Sequence, residues 1–192
     1  MVIIGITGTL GAGKGTIVDY FVNNHGFRHF SVRKFLSDKL DGLGLPVDRG
    51  NLVDLGNRLR AENHPAYIVE QLCLLAEESG GNCIIESIRT PGEVRFLKRF
   101  SFFLLAVDTD VRVRYDRVVG RGSETDRVSF DEFLADEKRE MGSSDPNKQN
   151  IGECIRLSDM IFYNGGSVGD LYGQLDCLWS SFGELGDAVR LG

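Results

Sequence analysis

The stretch Gly8-Thr9-Leu10-Gly11-Ala12-Gly13-Lys14-Gly15-Thr16 sets four glycines around a single lysine. Glycine tolerates the positive φ angles that let a backbone curl with its N–H groups facing one point, and such a curl holds anionic oxygens. A helix beginning at the lysine adds the positive end of its dipole. Gly8, Gly13 and Lys14 have the spacing of a Walker A phosphate loop. Gly8, Gly11, Ala12, Gly13, Lys14, Gly15 and Thr16 are therefore expected to cradle the phosphates of ATP, with Lys14 reaching the β- and γ-phosphates and Thr16 a candidate Mg2+ ligand. A glycine-rich turn alone suits any strand-to-helix connection. Here Val2-Ile3-Ile4-Gly5-Ile6 precedes the turn and Ile17-Val18-Asp19-Tyr20-Phe21-Val22 follows it, the context the motif requires. Gly15 departs from the strict motif, since Ser or Thr usually follows the lysine.

A second group of chemistry-bearing residues follows the apolar run Cys83-Ile84-Ile85. In an open α/β sheet, ligands bind outside the carboxyl ends of the strands, where Glu86 and Arg89 fall. Glu86 can hold Mg2+ directly or through water. Arg89 can grip a phosphate with two parallel hydrogen bonds. An ion pair between the two is the plainer alternative. Arg114, Arg117 and Arg121 share one helix face by their spacing, and Arg127 follows in a polar loop. Arginines that close over a transferring phosphoryl group stabilise its spreading charge and exclude water. Arg117 and Arg121 thus join Lys14 as catalytic candidates and Arg127 is a lid candidate; a solvated basic face is the alternative.

The elements that must position these groups alternate. Strands are predicted over 2–7, 27–31, 83–86, 102–108 and 159–163. Helices are predicted over 14–24, in hairpins over 32–79, from Pro91, over 110–120, after Ser129 and after Ser167. Thr90 with Glu93, and Ser129 with Glu132, have capping-box spacing. Phe102-Phe103-Leu104-Leu105-Ala106-Val107 is continuously apolar, as in a parallel strand covered on both faces. The pattern predicts an α/β fold with a parallel sheet. Residues 183–192 are expected to fray.

At 192 residues, 42% hydrophobic and 26% charged, the chain reads as one globular domain. A net charge of −6 argues against a nucleic-acid binder. Cys73, Cys83, Cys154 and Cys177 lie far apart and read as reduced thiols, three of them in apolar runs. His25, His29 and His64 have no metal-ligand spacing, and Trp179 sits in an apolar helical stripe. The first residues form neither a charged leader nor a membrane span, so a cytoplasmic location is expected. Asn147-Lys148-Gln149-Asn150 lacks the aspartate and the preceding strand of a guanine motif.

Gly-Lys-Gly-Thr at residues 13–16 resembles adenylate kinase and its nucleoside monophosphate kinase relatives. Glu86-Ser87-Ile88-Arg89-Thr90-Pro91 is similar to their Asp-Gly-Phe-Pro-Arg-Thr segment, with Glu for Asp and one residue fewer. Residues 158–167 resemble the C-terminal pattern of dephospho-CoA kinase, whose glycine turn contacts adenine. The resemblance implies a P-loop NTPase fold of three α/β/α layers around a five-stranded parallel sheet. It implies a core over 1–31, 80–120 and 150–183, a helical acceptor-binding insertion over about 32–79 and a short lid over about 121–128. It also implies acceptor binding by Ser31, Arg33 and Arg89, with Arg58 and Arg60 as further candidates, and adenine binding by Asn164, Gly165 and Gly166. The implied activity is Mg2+- and ATP-dependent phosphoryl transfer to a (deoxy)nucleoside monophosphate. The alternatives are a dephospho-CoA-kinase-like hydroxyl kinase, or a P-loop ATPase acting as an assembly or switch factor. Monomer and homodimer are both compatible with this reading.

Overall fold

The computed structural model describes residues 1–121 and 128–190, with 182–190 as backbone only. Five strands form one parallel sheet: β1 (Ile3–Gly8), β2 (Arg28–Ser31), β3 (Cys83–Glu86), β4 (Phe102–Asp108) and β5 (Met160–Tyr163), in the order β2-β3-β1-β4-β5. The chain leaves β1 in one direction to reach β2 and crosses back over β1 to reach β4. The carboxyl ends of β1, β3 and β4 therefore open onto one crevice. This is the three-layer arrangement expected of a P-loop NTPase fold.

Alternation along each strand sends side chains to two cores. Ile4, Ile6, Ile84, Leu105 and Val107 pack on one face against α1 (Lys14–His25) and α9 (Val168–Arg190). Trp179 joins that core and stacks on His25 with ring centroids 4.1 Å apart. Ile3, Cys83, Ile85 and Leu104 pack on the other face, beneath α2 (Val32–Gly42), α3 (Arg49–Glu62), α4 (Tyr67–Ser79) and α5 (Pro91–Leu97). Cys73, Cys83 and Cys154 are buried and unpaired, whereas Cys177 is exposed.

Local signals set most of the helix ends. Asp48 caps α3 through the Asn51 N–H at 2.8 Å. Thr90 and Glu93 form a complete capping box at α5. The same device, Ser129 with Glu132, starts α7 (Phe130–Met141), which follows α6 (Val111–Gly120). Two readings of the sequence change. A short α8 (Ile151–Arg156), capped by Asn150, was not expected. The backbone of α9 stays helical to Arg190 beyond the fraying expected from Gly183.

The helical insertion is tied to the sheet by a buried ion pair. Arg60 on α3 is 2% exposed and Glu93 on α5 is 0% exposed, and the Arg60 Nε and Nη2 groups donate to Glu93 Oε1 at 3.1 and 2.8 Å. Removing one partner leaves an uncompensated buried charge, which costs about 3–5 kcal/mol. Glu93→Ala should lower unfolding stability by about that amount in denaturant titration. The double substitution Arg60→Met, Glu93→Leu should cost clearly less than Glu93→Ala alone.

Candidate phosphate-binding site

The loop between β1 and α1 is pinned from both sides. At Gly8, φ is 134° and the missing Cβ gives room to the Val107 carbonyl of β4. At Gly13, the N-cap of α1, φ is 107° and the Asn164 amide fills the space a Cβ would need. Asn164 Nδ2 donates to the Ala12 carbonyl at 2.8 Å, and Thr9 Oγ1 donates to Asp108 Oδ1 at 2.7 Å. Residues at the ends of β4 and β5 thus brace the glycine curl. Lys14 Nζ folds back onto it, donating to the Gly8 and Thr9 carbonyls at 3.0 and 2.8 Å. Burial pulls the Lys14 ammonium down to about 7, and the Arg89 and Arg121 guanidinium groups add to that against Glu86 and Glu140.

The loop after β3 is equally well held. Thr7 Oγ1 donates to the Ile88 carbonyl at 2.8 Å and the Ile88 N–H donates to the Ile6 carbonyl at 3.0 Å. Glu93 Oε2 accepts the Arg89 and Thr90 N–H groups at 2.8 and 3.0 Å. Arg89 Nη1 donates to Glu140 Oε2 at 2.8 Å and Gln149 Oε1 at 2.7 Å. Arg49, which opens α3, donates to Glu140 Oε1 through Nε at 3.2 Å and Nη2 at 2.7 Å. Burial raises the Glu140 carboxyl, but Arg89 and Arg49 together hold it below the usual carboxylate range. Glu86 behaves alike: burial opposes ionisation, and the His29 hydrogen bond at 3.2 Å, Lys14 and Arg89 outweigh it.

Two clefts meet here. One, of about 400 Å³, runs along the phosphate loop and is lined by Lys14, Thr16, Glu86 and Arg121 among others. The second, a narrow cleft of about 70 Å³, lies under α2 and α3, with an apolar wall of Val32, Leu36, Leu52 and Val53. Leu10, Arg33, Ser87 and Arg89 line both. A third cleft continues from the loop past Arg117, Arg121, Asn164 and Gly166.

Most of the residues singled out in the sequence gather around these openings. Gly11, Gly13, Lys14, Gly15, Thr16, Arg33, Glu86, Arg89 and Arg121 line the first cleft. Gly8 and Ala12 are buried behind it. Arg117 lines the third cleft and its Nη1 donates to the Asn164 carbonyl at 3.0 Å. Asn164 itself is 6% exposed and spends its amide on the loop, while Gly165 beside it is exposed. The Ser31 hydroxyl accepts the Lys34 N–H at 3.3 Å and caps α2. Arg127 lies outside the described residues. Arg114 does not join an open basic face: it is buried and paired with Glu137 on α7. Arg58 faces Glu62 on the exposed side of α3, and Arg60 is committed to Glu93.

Arg49, Glu140 and Gln149 were not singled out. Arg49 follows a helix cap and reads as an ordinary surface residue. Glu140 lies 51 residues from Arg89 and 91 from Arg49, so only tertiary folding relates them.

The state of Lys14 gives a direct test of this geometry. With its ammonium drawn down to about 7, Lys14 is expected to be mostly neutral in the free chain at pH 8, and phosphate oxygens favour its charged form. ADP titrated at pH 8 should therefore draw about one proton into the complex, read by calorimetry in two buffers of different ionisation enthalpy. No uptake would mean that Lys14 is already charged in the free chain.

The fold has counterparts. The crystal structure of TT1252 from Thermus thermophilus superposes with a TM-score of 0.61 at 21% identity, covering 94% of this chain and 97% of that one. Shikimate kinase from Bacteroides thetaiotaomicron superposes with a TM-score of 0.59 at 13% identity, over 93% and 98% of the two chains. At such identities the likeness concerns the fold. A UPF0200 protein from Methanothermobacter thermautotrophicus is 31% identical over 100% of this chain and 96% of its own length. The family model described as AAA domain matches residues 4–142, a span that contains the phosphate loop, the helical insertion, Glu86 and Arg89. The chain therefore belongs to the AAA domain family and to the UPF0200 proteins.

Proposed function

We propose that the chain is an ATP-dependent phosphotransferase whose acceptor is a small phosphomonoester, with a (deoxy)nucleoside monophosphate the class that fits best. The observation that carries this reading is the shared seam. Leu10, Arg33, Ser87 and Arg89 border both the phosphate-loop cleft and the cleft under α2 and α3. Two bound molecules would meet there. In the donor cleft, the loop amides and Lys14 hold the β- and γ-phosphates, and Arg121 faces the transferring group. In the acceptor cleft, Val32, Leu36, Leu52 and Val53 offer an apolar wall to a ring, while Arg33 and Arg89 offer donors to its phosphate.

Thr16 and Glu86 fit Mg2+ as hard oxygen donors on the same cleft. Glu86 keeps Oε1 free of hydrogen bonds among the described residues, since His29 takes Oε2. Bound Mg2+ would neutralise charge on the β- and γ-phosphates.

The carboxylate on the acceptor cleft bears on the acceptor's chemistry. Both oxygens of Glu140 accept from arginines, and its affinity for a proton is reduced. It is a poor general base, which favours an acceptor already ionised over a hydroxyl. An acceptor phosphate oxygen forms the new P–O bond while the bond from the γ-phosphorus to the β,γ-bridging oxygen breaks. ADP leaves with that electron pair, and no proton has to move.

The deciding experiment measures ADP formation with a panel of nucleoside and deoxynucleoside monophosphates, with dephospho-CoA as the hydroxyl control. Stimulation by a monophosphate is expected. Slow ATP hydrolysis that no acceptor accelerates would instead favour an ATPase switch. Lys14→Ala should abolish turnover. Arg89→Ala should raise the acceptor KM about 10- to 100-fold and leave ATP affinity near wild type, as loss of a charged hydrogen bond predicts; weakened ATP binding with normal acceptor use would count against this placement of Arg89.

A further inference from the structure

Ser87 is the one non-glycine residue at positive φ among the described residues, at 71°. That backbone region disfavours any side chain, and glycine would occupy it without strain. Strain of this kind persists where the surroundings impose it and collects at functional sites. The surroundings here are rigid. Glu86 ends a central strand, Ile88 is stapled to β1 through both its N–H and its carbonyl, and Glu93 holds the Arg89 N–H. They account for the backbone conformation but not for a side chain at the position.

The side chain's location supplies the missing part. Ser87 is 6% exposed and lines both clefts, between the candidate metal ligand Glu86 and the acceptor arginine Arg89. Its hydroxyl makes no hydrogen bond among the described residues. The other three seam residues are one apolar side chain and two guanidinium groups, none of which supplies a short neutral donor. We propose that the Ser87 hydroxyl donates a hydrogen bond to an anionic oxygen of the acceptor's phosphate, fixing that group at the seam beside Arg89. This rests on the phosphotransferase reading for its acceptor, yet it can be tested with inorganic phosphate alone.

The experiment titrates inorganic phosphate into wild type, Ser87→Ala and Ser87→Gly, each with the phosphate loop filled by ADP. Both variants should bind phosphate about tenfold more weakly, the loss expected for one hydrogen bond to a charged group, with ADP affinity unchanged. Thermal unfolding is the control. Ser87→Gly relieves the positive-φ strain, so its midpoint should hold or rise by about 2–4 °C. Equal phosphate affinity in wild type and both variants overturns the proposal. So does a wild type that binds no phosphate in the ADP complex. Weaker binding accompanied by a lower midpoint in Ser87→Gly overturns it too, because the side chain would then be structural. An acceptor screen on wild type keeps the readings apart: failure of every monophosphate to stimulate ADP formation sinks the phosphotransferase assignment, while the phosphate affinities still decide Ser87.

Discussion

One fully buried carboxylate holds the site together. Glu93 takes the Arg60 guanidinium on Oε1 and the N–H groups of Arg89 and Thr90 on Oε2. A lone carboxylate at that depth would be costly, and only this full set of partners makes its burial tolerable. The consequence is geometric. The same atom pair that starts α5 also fixes the helical insertion through α3 and aims the loop that carries Ser87 and Arg89. Neither the helices above the second cleft nor the loop that borders it can shift without disturbing the ion that joins them.

Around that anchor the electrostatics are arranged against the overall balance of the chain. The net charge is −6, yet Lys14, Arg33, Arg89 and Arg121 converge on the cleft beside the phosphate loop. Burial and like charge together bring Lys14 to about 7. Three arginines are restrained by acids of α7: Glu140 bridges Arg49 and Arg89, Asp136 approaches Arg49, and Glu137 holds Arg114. This acidic helix sets those guanidinium groups in place. Anionic phosphates are what such a field lacks, and binding them would relieve the mutual repulsion of its cations.

Much of this was legible in the residues themselves, and the reason is locality. The phosphate loop is read from nine consecutive positions because its function resides in backbone conformation, and glycine spacing encodes that directly. Capping boxes at Thr90 and Ser129 are short-range devices and appear where they were expected. Apolar runs placed β1, β3 and β4, since a strand covered on both faces has no polar face to write, whereas β2 and β5 are more exposed strands at the sheet edges. Glu86 and Arg89 were visible because a strand's carboxyl end is a position that the sequence marks.

What the tertiary structure alone decided is which charged side chains face the clefts and which act as struts. Arg60 and Arg114 look like any exposed helical arginine in sequence, yet both are buried against carboxylates. Arg49, Glu140 and Gln149 carried no local signal because their partners lie 51 to 91 residues away. Ser87 reads as a substitution in a loop, and its positive φ and unpartnered hydroxyl exist only in three dimensions. The sequence by itself determined a phosphate loop on a parallel α/β sheet, because those are written in short-range pattern and period. The cleft under α2 and α3 and its seam with the phosphate-loop cleft came from folding, because a charge acquires its role from what burial brings beside it.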